Sequence, residues 1–127
     1  SYQIDKRMLE LIEKLRTERG FQVGLITNAD SYRHQHIERE YHLSQKIDFS
    51  ISSFLYGVTK PNPEAYRIAL SLSDRIQKPN RVLYVDDKEK NIVPCLALGM
   101  KGYIFKTYEA FEATLYSEDV LRSGRLP

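Results

Sequence analysis

Short apolar runs at positions 21–27, 49–53, 82–85 and 102–105 are each separated from the next by a longer stretch of mixed polarity. A run that is continuously apolar, rather than alternating, suits a strand buried on both faces. Parallel strands need a crossover of a dozen or more residues, usually a helix, and the intervening stretches supply it. The predicted fold is therefore α/β: a three-layer, Rossmann-like parallel sheet flanked by helices.

The intervening stretches carry helix signals. Ile4, Met8, Leu11, Ile12 and Leu15 recur at helical spacing ahead of Gly20, which predicts a helix over 4–19. Asn28, Ala29, Asp30 and Ser31 form a turn-and-cap segment before a polar surface helix over 32–41, and a loop carrying Gly57 follows the second run. Asn62 is a suitable N-cap, Pro63 fits the first helical position, and Glu64 suits the positive end of the helix dipole. Ala65, Ile68, Ala69 and Leu72 then form the predicted buried face. Further helices are predicted over 91–98, stopped by Gly99, and over 108–121.

A chain of 127 residues, 42% hydrophobic and 28% charged, suits one globular domain. Nineteen basic and seventeen acidic residues leave a net charge of +2 without a Lys/Arg block, so nucleic acid and membrane surfaces are not expected partners. No apolar run approaches the roughly 18 residues that span a bilayer. Cys95 is the one cysteine, which excludes an internal disulfide and makes a reducing, cytoplasmic setting the expectation. It reads as a core residue, the nine tyrosines as packing and amphipathic surface, and His34, His36 and His42 as surface residues without a shared helical face.

In parallel sheets, ligands gather at the carboxyl ends of the strands. Three runs end there in polar residues: Thr27 and Asn28, Ser52 and Ser53 with Lys60 soon after, and Asp86 and Asp87. Two unit charges about 4 Å apart repel by about 4 kcal/mol at an effective dielectric near 20. A hard cation relieves that cost, and carboxylate oxygens suit Mg2+. Lys60 adds a fixed positive charge, Thr27 a hydroxyl, and the turn at Asn28 backbone N–H donors before a helix. Together these describe a cradle for a phosphoryl group. The alternative for the acids is that Asp86 or Asp87 caps the following helix.

Three segments taken in order resemble the haloacid dehalogenase-like (HAD) hydrolases. GLITNAD is similar to that family's second motif, GVTKPNPEAYRIAL to its third, and VLYVDDKEKNIVPCLALGMKGYIF to its fourth. The resemblance covers about residues 8 to 106. It implies that Thr27 hydrogen-bonds a phosphoryl oxygen with help from the backbone at Asn28. It implies that Lys60 screens the charge shared by nucleophile and phosphate, that Asp86 holds Mg2+ with Asp87 assisting, and that Asn91 supports the loop. It implies hydrolysis of a small phosphorylated substrate rather than dehalogenation, through an aspartyl-phosphate.

The family's nucleophile belongs to an Asp-x-Asp first motif on a strand at the sheet centre. No two aspartates of this chain are separated by a single residue. The expectation is that residues 1–127 are a single core fragment of a longer enzyme, inactive alone, lacking the first strand and most of the cap. The strands ending at Thr27 and Asp86 would then pair directly or leave a gap of roughly 9.6 Å, two strand spacings. An N-terminal segment or another chain could complete the sheet. Two other readings compete. One is an inactive HAD-like binding domain. The other is a receiver-like signalling domain, whose motif order of acid pair, phosphoacceptor, Thr or Ser, then Lys differs from the order here.

Overall fold

In the computed structural model, which describes residues 5–73 and 78–118, Asp5 opens the first helix. Its carboxylate accepts the Arg7 N–H at 2.8 Å, and α1 runs Lys6–Arg19 until Gly20 closes it at φ 73°. That positive φ is one glycine adopts without penalty. Ile4, the first residue of the predicted helix, lies outside the described residues. Strand β1, Gly24–Thr27, follows, and Asp30 caps α2, Ser31–Tyr41, by accepting the Arg33 N–H at 2.8 Å. Strand β2, Phe49–Ser52, leads into one helical turn, α3, Ser53–Tyr56. The sequence predicts a loop there, because four residues are too few to show a helical period.

Helix α4, Pro63–Leu72, has Asn62 as its N-cap, with Asn62 Oδ1 accepting the Glu64 N–H at 2.9 Å. Its buried residues are Ala65, Tyr66 and Ala69, while Leu72 is exposed. The face is thus rotated from the predicted one. Tyr66 takes the interior position because its hydroxyl finds a partner there, the Asn91 carbonyl at 2.6 Å. Strand β3 (Leu83–Asp86), helix α5 (Glu89–Ala97), strand β4 (Lys101–Ile104) and helix α6 (Tyr108–Ser117) complete the described chain. The predicted extension of α6 to residue 121 reaches outside the described residues. No helix among the described residues is long and apolar enough to cross a membrane.

All strand pairing is parallel, but it forms two sheets of two strands. β1 pairs with β2, Gly24 opposite Phe49 and Thr27 opposite Ser52. β3 pairs with β4, Leu83 opposite Lys101 and Asp86 opposite Ile104. Among the described residues no ladder joins β1 to β3.

Packing holds the two pairs side by side. On one face, Ala65 and Tyr66 of α4 share a cluster with Ile92 and Cys95 of α5, and Ile26 of β1 and Tyr84 of β3 pack against it. On the other, α1 divides its apolar residues: Leu9 and Ile12 meet Val23, Leu25 and Ile37, while Met8, Leu11 and Leu15 meet Val85, Tyr103 and Phe111. Each fully buried Leu or Ile contributes about 1.5–3 kcal/mol. Two helices therefore bridge the strand pairs from opposite sides, and among the described residues no ladder joins the two pairs.

Candidate active site

Side chains alternate along a strand, so Tyr84 and Asp86 lie on one face of β3 and Val85 on the other. The packing agrees, with Tyr84 toward α4 and Val85 toward α1 and α6. Asp86 ends the strand, and its side chain is only 6% exposed. Such a carboxylate needs partners. Its Oδ2 accepts from Lys60 Nζ at 2.9 Å, from the Tyr84 hydroxyl at 2.6 Å and from Asn91 Nδ2 at 3.2 Å. Its Oδ1 accepts the Lys88 backbone N–H at 3.0 Å. Burial alone would raise the Asp86 pKa. The hydrogen bonds from Tyr84, Lys60 and the Lys88 N–H outweigh it and hold the carboxyl well below the usual range. Burial, then the bond to Asp86, pushes the Tyr84 phenol far up, and burial of the neighbouring Tyr66 pushes its phenol to about 12. Both are neutral hydroxyl donors at pH 7.

Asn28 reaches this pair through the backbone. Its Oδ1 accepts the Lys60 N–H at 2.8 Å and its Nδ2 donates to the Lys60 carbonyl at 3.1 Å. The side chain thus clamps the Lys60 peptide from both sides, beside a Lys60–Pro61 bond that is cis. The turn after β1 is thereby tied to the lysine that pairs with the end of β3. Sequence analysis gives Asn28 only a backbone role; its side chain is a positioning group for Lys60.

Lys60, Asp86, Asn28 and Asn91 are thus brought together. Thr27 ends β1 at the same rim, but it alternates with Ile26 and lines a small crevice with Leu25, His34 and Ile37 rather than touching Lys60 or Asp86. Asp87 is exposed and makes no hydrogen bond or ion pair among the described residues. Neither acid caps α5: its N-cap is Lys88, without a side-chain bond. Tyr84 contributes as well, although its place in an apolar run reads as packing. The signal is present in hindsight, since a tyrosine two positions before a strand-end acid shares its face.

The donor set fits a magnesium ion. Asp86 Oδ1 carries one backbone N–H and keeps lone-pair capacity, and Asp87, the next residue, is exposed. No group of three or more acidic, His or Cys side chains clusters among the described residues. A site with one or two carboxylates, its other positions left to water and phosphate oxygens, is the kind Mg2+ accepts.

A parallel α/β fold with a buried lysine–carboxylate pair at the carboxyl end of β3 defines a Rossmann-like protein. A family model described as haloacid dehalogenase-like hydrolase matches residues 1–99, and the chain belongs to that family. It is 33% identical over 101 residues to Bifunctional epoxide hydrolase 2 of Rattus norvegicus, covering 76% of this chain and 18% of that protein. It is 29% identical over 98 residues to the sesquiterpene phosphatase astK of Aspergillus oryzae, covering 77% of this chain and 48% of the relative. The chain thus spans less than half the length of these curated relatives. Among solved structures, an uncharacterized protein from Corynebacterium glutamicum superposes with a TM-score of 0.77 at 18% identity, covering 98% of this chain and 90% of the other. A HAD family enzyme from Bacteroides thetaiotaomicron, in complex with magnesium and inorganic phosphate, gives 0.71 at 20% identity, covering 85% of this chain and 57% of that one. At those identities the likeness is one of fold.

Proposed function

We propose that this chain is the part of a HAD-like core that carries the second, third and fourth motifs of a Mg2+-dependent phosphatase. The whole enzyme hydrolyses a small phosphate ester in the cytoplasm, through an aspartyl-phosphate whose nucleophile lies outside these 127 residues. The observation that carries the reading is the Lys60–Asp86 pair, held at the rim where the two unjoined strand pairs meet. The unpaired edges of β1 and β3 suit one further parallel strand, and a strand inserted there would end beside Lys60 and Asp86. A relative named as a phosphatase and a solved neighbour holding magnesium and inorganic phosphate support the same chemistry.

In this reading Lys60 exchanges its bond to Asp86 for the phosphate, neutralising charge on the transferring group. Asn28 keeps the lysine backbone fixed during that exchange. The N–H groups of the turn after β1 bind phosphoryl oxygens. Asp86, assisted by Asp87, holds the metal, which supplies Lewis-acid stabilisation of phosphoryl charge.

The test is a protein extended upstream to include an Asp-x-Asp strand, assayed on an aryl phosphate with Mg2+. It should turn over, and Lys60→Ala should lower kcat by about 10²–10³. The 127-residue chain alone should not turn over. No hydrolysis by a folded, extended protein with that nucleophile present would overturn the proposal.

A further inference from the structure

We propose that Tyr84 is a positioning residue that holds Asp86 in its metal-binding orientation while Lys60 is engaged elsewhere. This rests on the reading of Asp86 as the magnesium ligand.

Three donors converge on Asp86 Oδ2: Lys60 Nζ, the Tyr84 hydroxyl and Asn91 Nδ2. A carboxylate oxygen has two lone pairs, so one donor can leave without orphaning it. The three differ in freedom. Lys60 has a flexible four-carbon stem, and its side chain, 16% exposed, is the more open member of its ion pair. Tyr84 is fixed at both ends. Its backbone lies in the β3–β4 ladder, and its ring stands edge-on to Tyr66 at 5.2 Å and 79°. Tyr66 is itself fully buried and anchored on the Asn91 carbonyl. Asn91 is buried in the first turns of α5. When the lysine turns toward an anion, Tyr84 and Asn91 keep Oδ2 in place. Oδ1, with its single backbone N–H, remains the oxygen available to a cation.

A phenylalanine at position 84 would keep the ring contact and remove the hydroxyl. Asp86 would then rely on Lys60, the group that has to leave, and on one long bond from Asn91. Partners of metal-binding carboxylates typically account for about 10–100-fold in metal affinity.

The experiment uses the upstream-extended protein and Mn2+, read by water proton relaxation, with Mg2+ as competitor. Tyr84→Phe should weaken Mn2+ binding about 10-fold. In a Lys60→Met background the same substitution should cost more, because Asn91 is then the one donor left on Oδ2. A measurement without metal runs beside it: Tyr84→Phe should speed hydrogen exchange of the Asn91 side-chain amide, which follows Asp86. Asp86→Asn separates the two readings. If it abolishes binding while Tyr84→Phe binds Mn2+ like the wild type, the role of Tyr84 is wrong and the metal assignment stands. If Asp86→Asn binds like the wild type, or the wild-type extended protein takes up no Mn2+, the metal assignment fails and this inference with it. A lowered melting temperature with unchanged affinity would reduce Tyr84 to packing and overturn the proposal.

Discussion

Asp48 and Asp86 sit at opposite ends of the two strand pairs, each facing a cation, and they do different work. Asp48 precedes β2 at the amino end. It takes a side-on pair of bonds from Arg16, at 3.2 and 3.1 Å, and the Val23 N–H at 2.7 Å. Both its oxygens are engaged by a planar guanidinium, and about a quarter of each partner is exposed. Asp86 ends β3 at the carboxyl end, nearly buried, with one oxygen crowded and the other lightly used. The first arrangement closes a structure: it locks the last turns of α1 to the start of the β1–β2 pair. The second leaves lone-pair capacity on Oδ1. Lysine rather than arginine at the second site fits that difference, because a point charge on a flexible stem can change partners where a bidentate fork cannot.

Removing the second acid should have the larger effect on stability. Asp86→Ala leaves the Lys60 ammonium half-enclosed and strips the Tyr84 hydroxyl of its acceptor, so a loss of about 3 kcal/mol is expected in urea unfolding at pH 7. The pH dependence carries the same signature. The folded Asp86 carboxyl lies below its unfolded value, so its stabilisation is fully present above that value and is lost as the pH falls toward the folded one. The gap between wild type and Asp86→Ala should therefore narrow below about pH 4. A constant gap down to pH 2.5 would mean that Asp86 contributes packing rather than charge. Asp48→Ala should cost less, about 1–2 kcal/mol, because its pair is solvent-screened and Arg16 can rehydrate. It should leave Mn2+ affinity untouched. If the two losses came out equal, burial would not be what distinguishes the sites.

The two halves also differ in how much the sequence discloses. The parallel α/β class, the Asn62 cap with Pro63 behind it, and the closeness of Lys60 to Asp86 are legible, because turn chemistry is local and strand ends converge by topology. Cys95 reads as core and is fully buried, its thiol pushed up by that burial. The rotation of α4 onto Tyr66 is not legible. It depends on a carbonyl 25 residues away, and helical spacing alone favours the purely apolar face through Ile68 and Leu72. The Tyr84 bond is hidden for a related reason: a tyrosine in an apolar run reads as packing until its hydroxyl's partner is known. Thr27 ends β1 at its carboxyl end, yet alternation along β1 turns it away from the lysine–carboxylate pair. The split into two sheets follows from the unpaired edges of β1 and β3, which the sequence presents only as an alternative to direct pairing.

The weakest link between the halves gives the smallest expected effect on stability and the sharpest test of their division of labour. Asn28 contributes two exposed hydrogen bonds to the Lys60 peptide, and Asn28→Ala should cost about 1 kcal/mol in urea unfolding. Function should register more than stability does. Lys60 reaches Asp86 at 2.9 Å from a backbone held by that clamp, and a shift of about 1 Å in a catalytic group can lower a rate 100-fold. In the upstream-extended enzyme, Asn28→Ala should therefore lower kcat by about 10- to 100-fold at nearly unchanged KM, because the lysine is misplaced rather than lost. Asn28→Asp retains the acceptor for the Lys60 N–H while losing the donor to its carbonyl, so it should recover part of that rate. A kcat that falls only in proportion to the unfolded fraction would show that the clamp merely joins the halves.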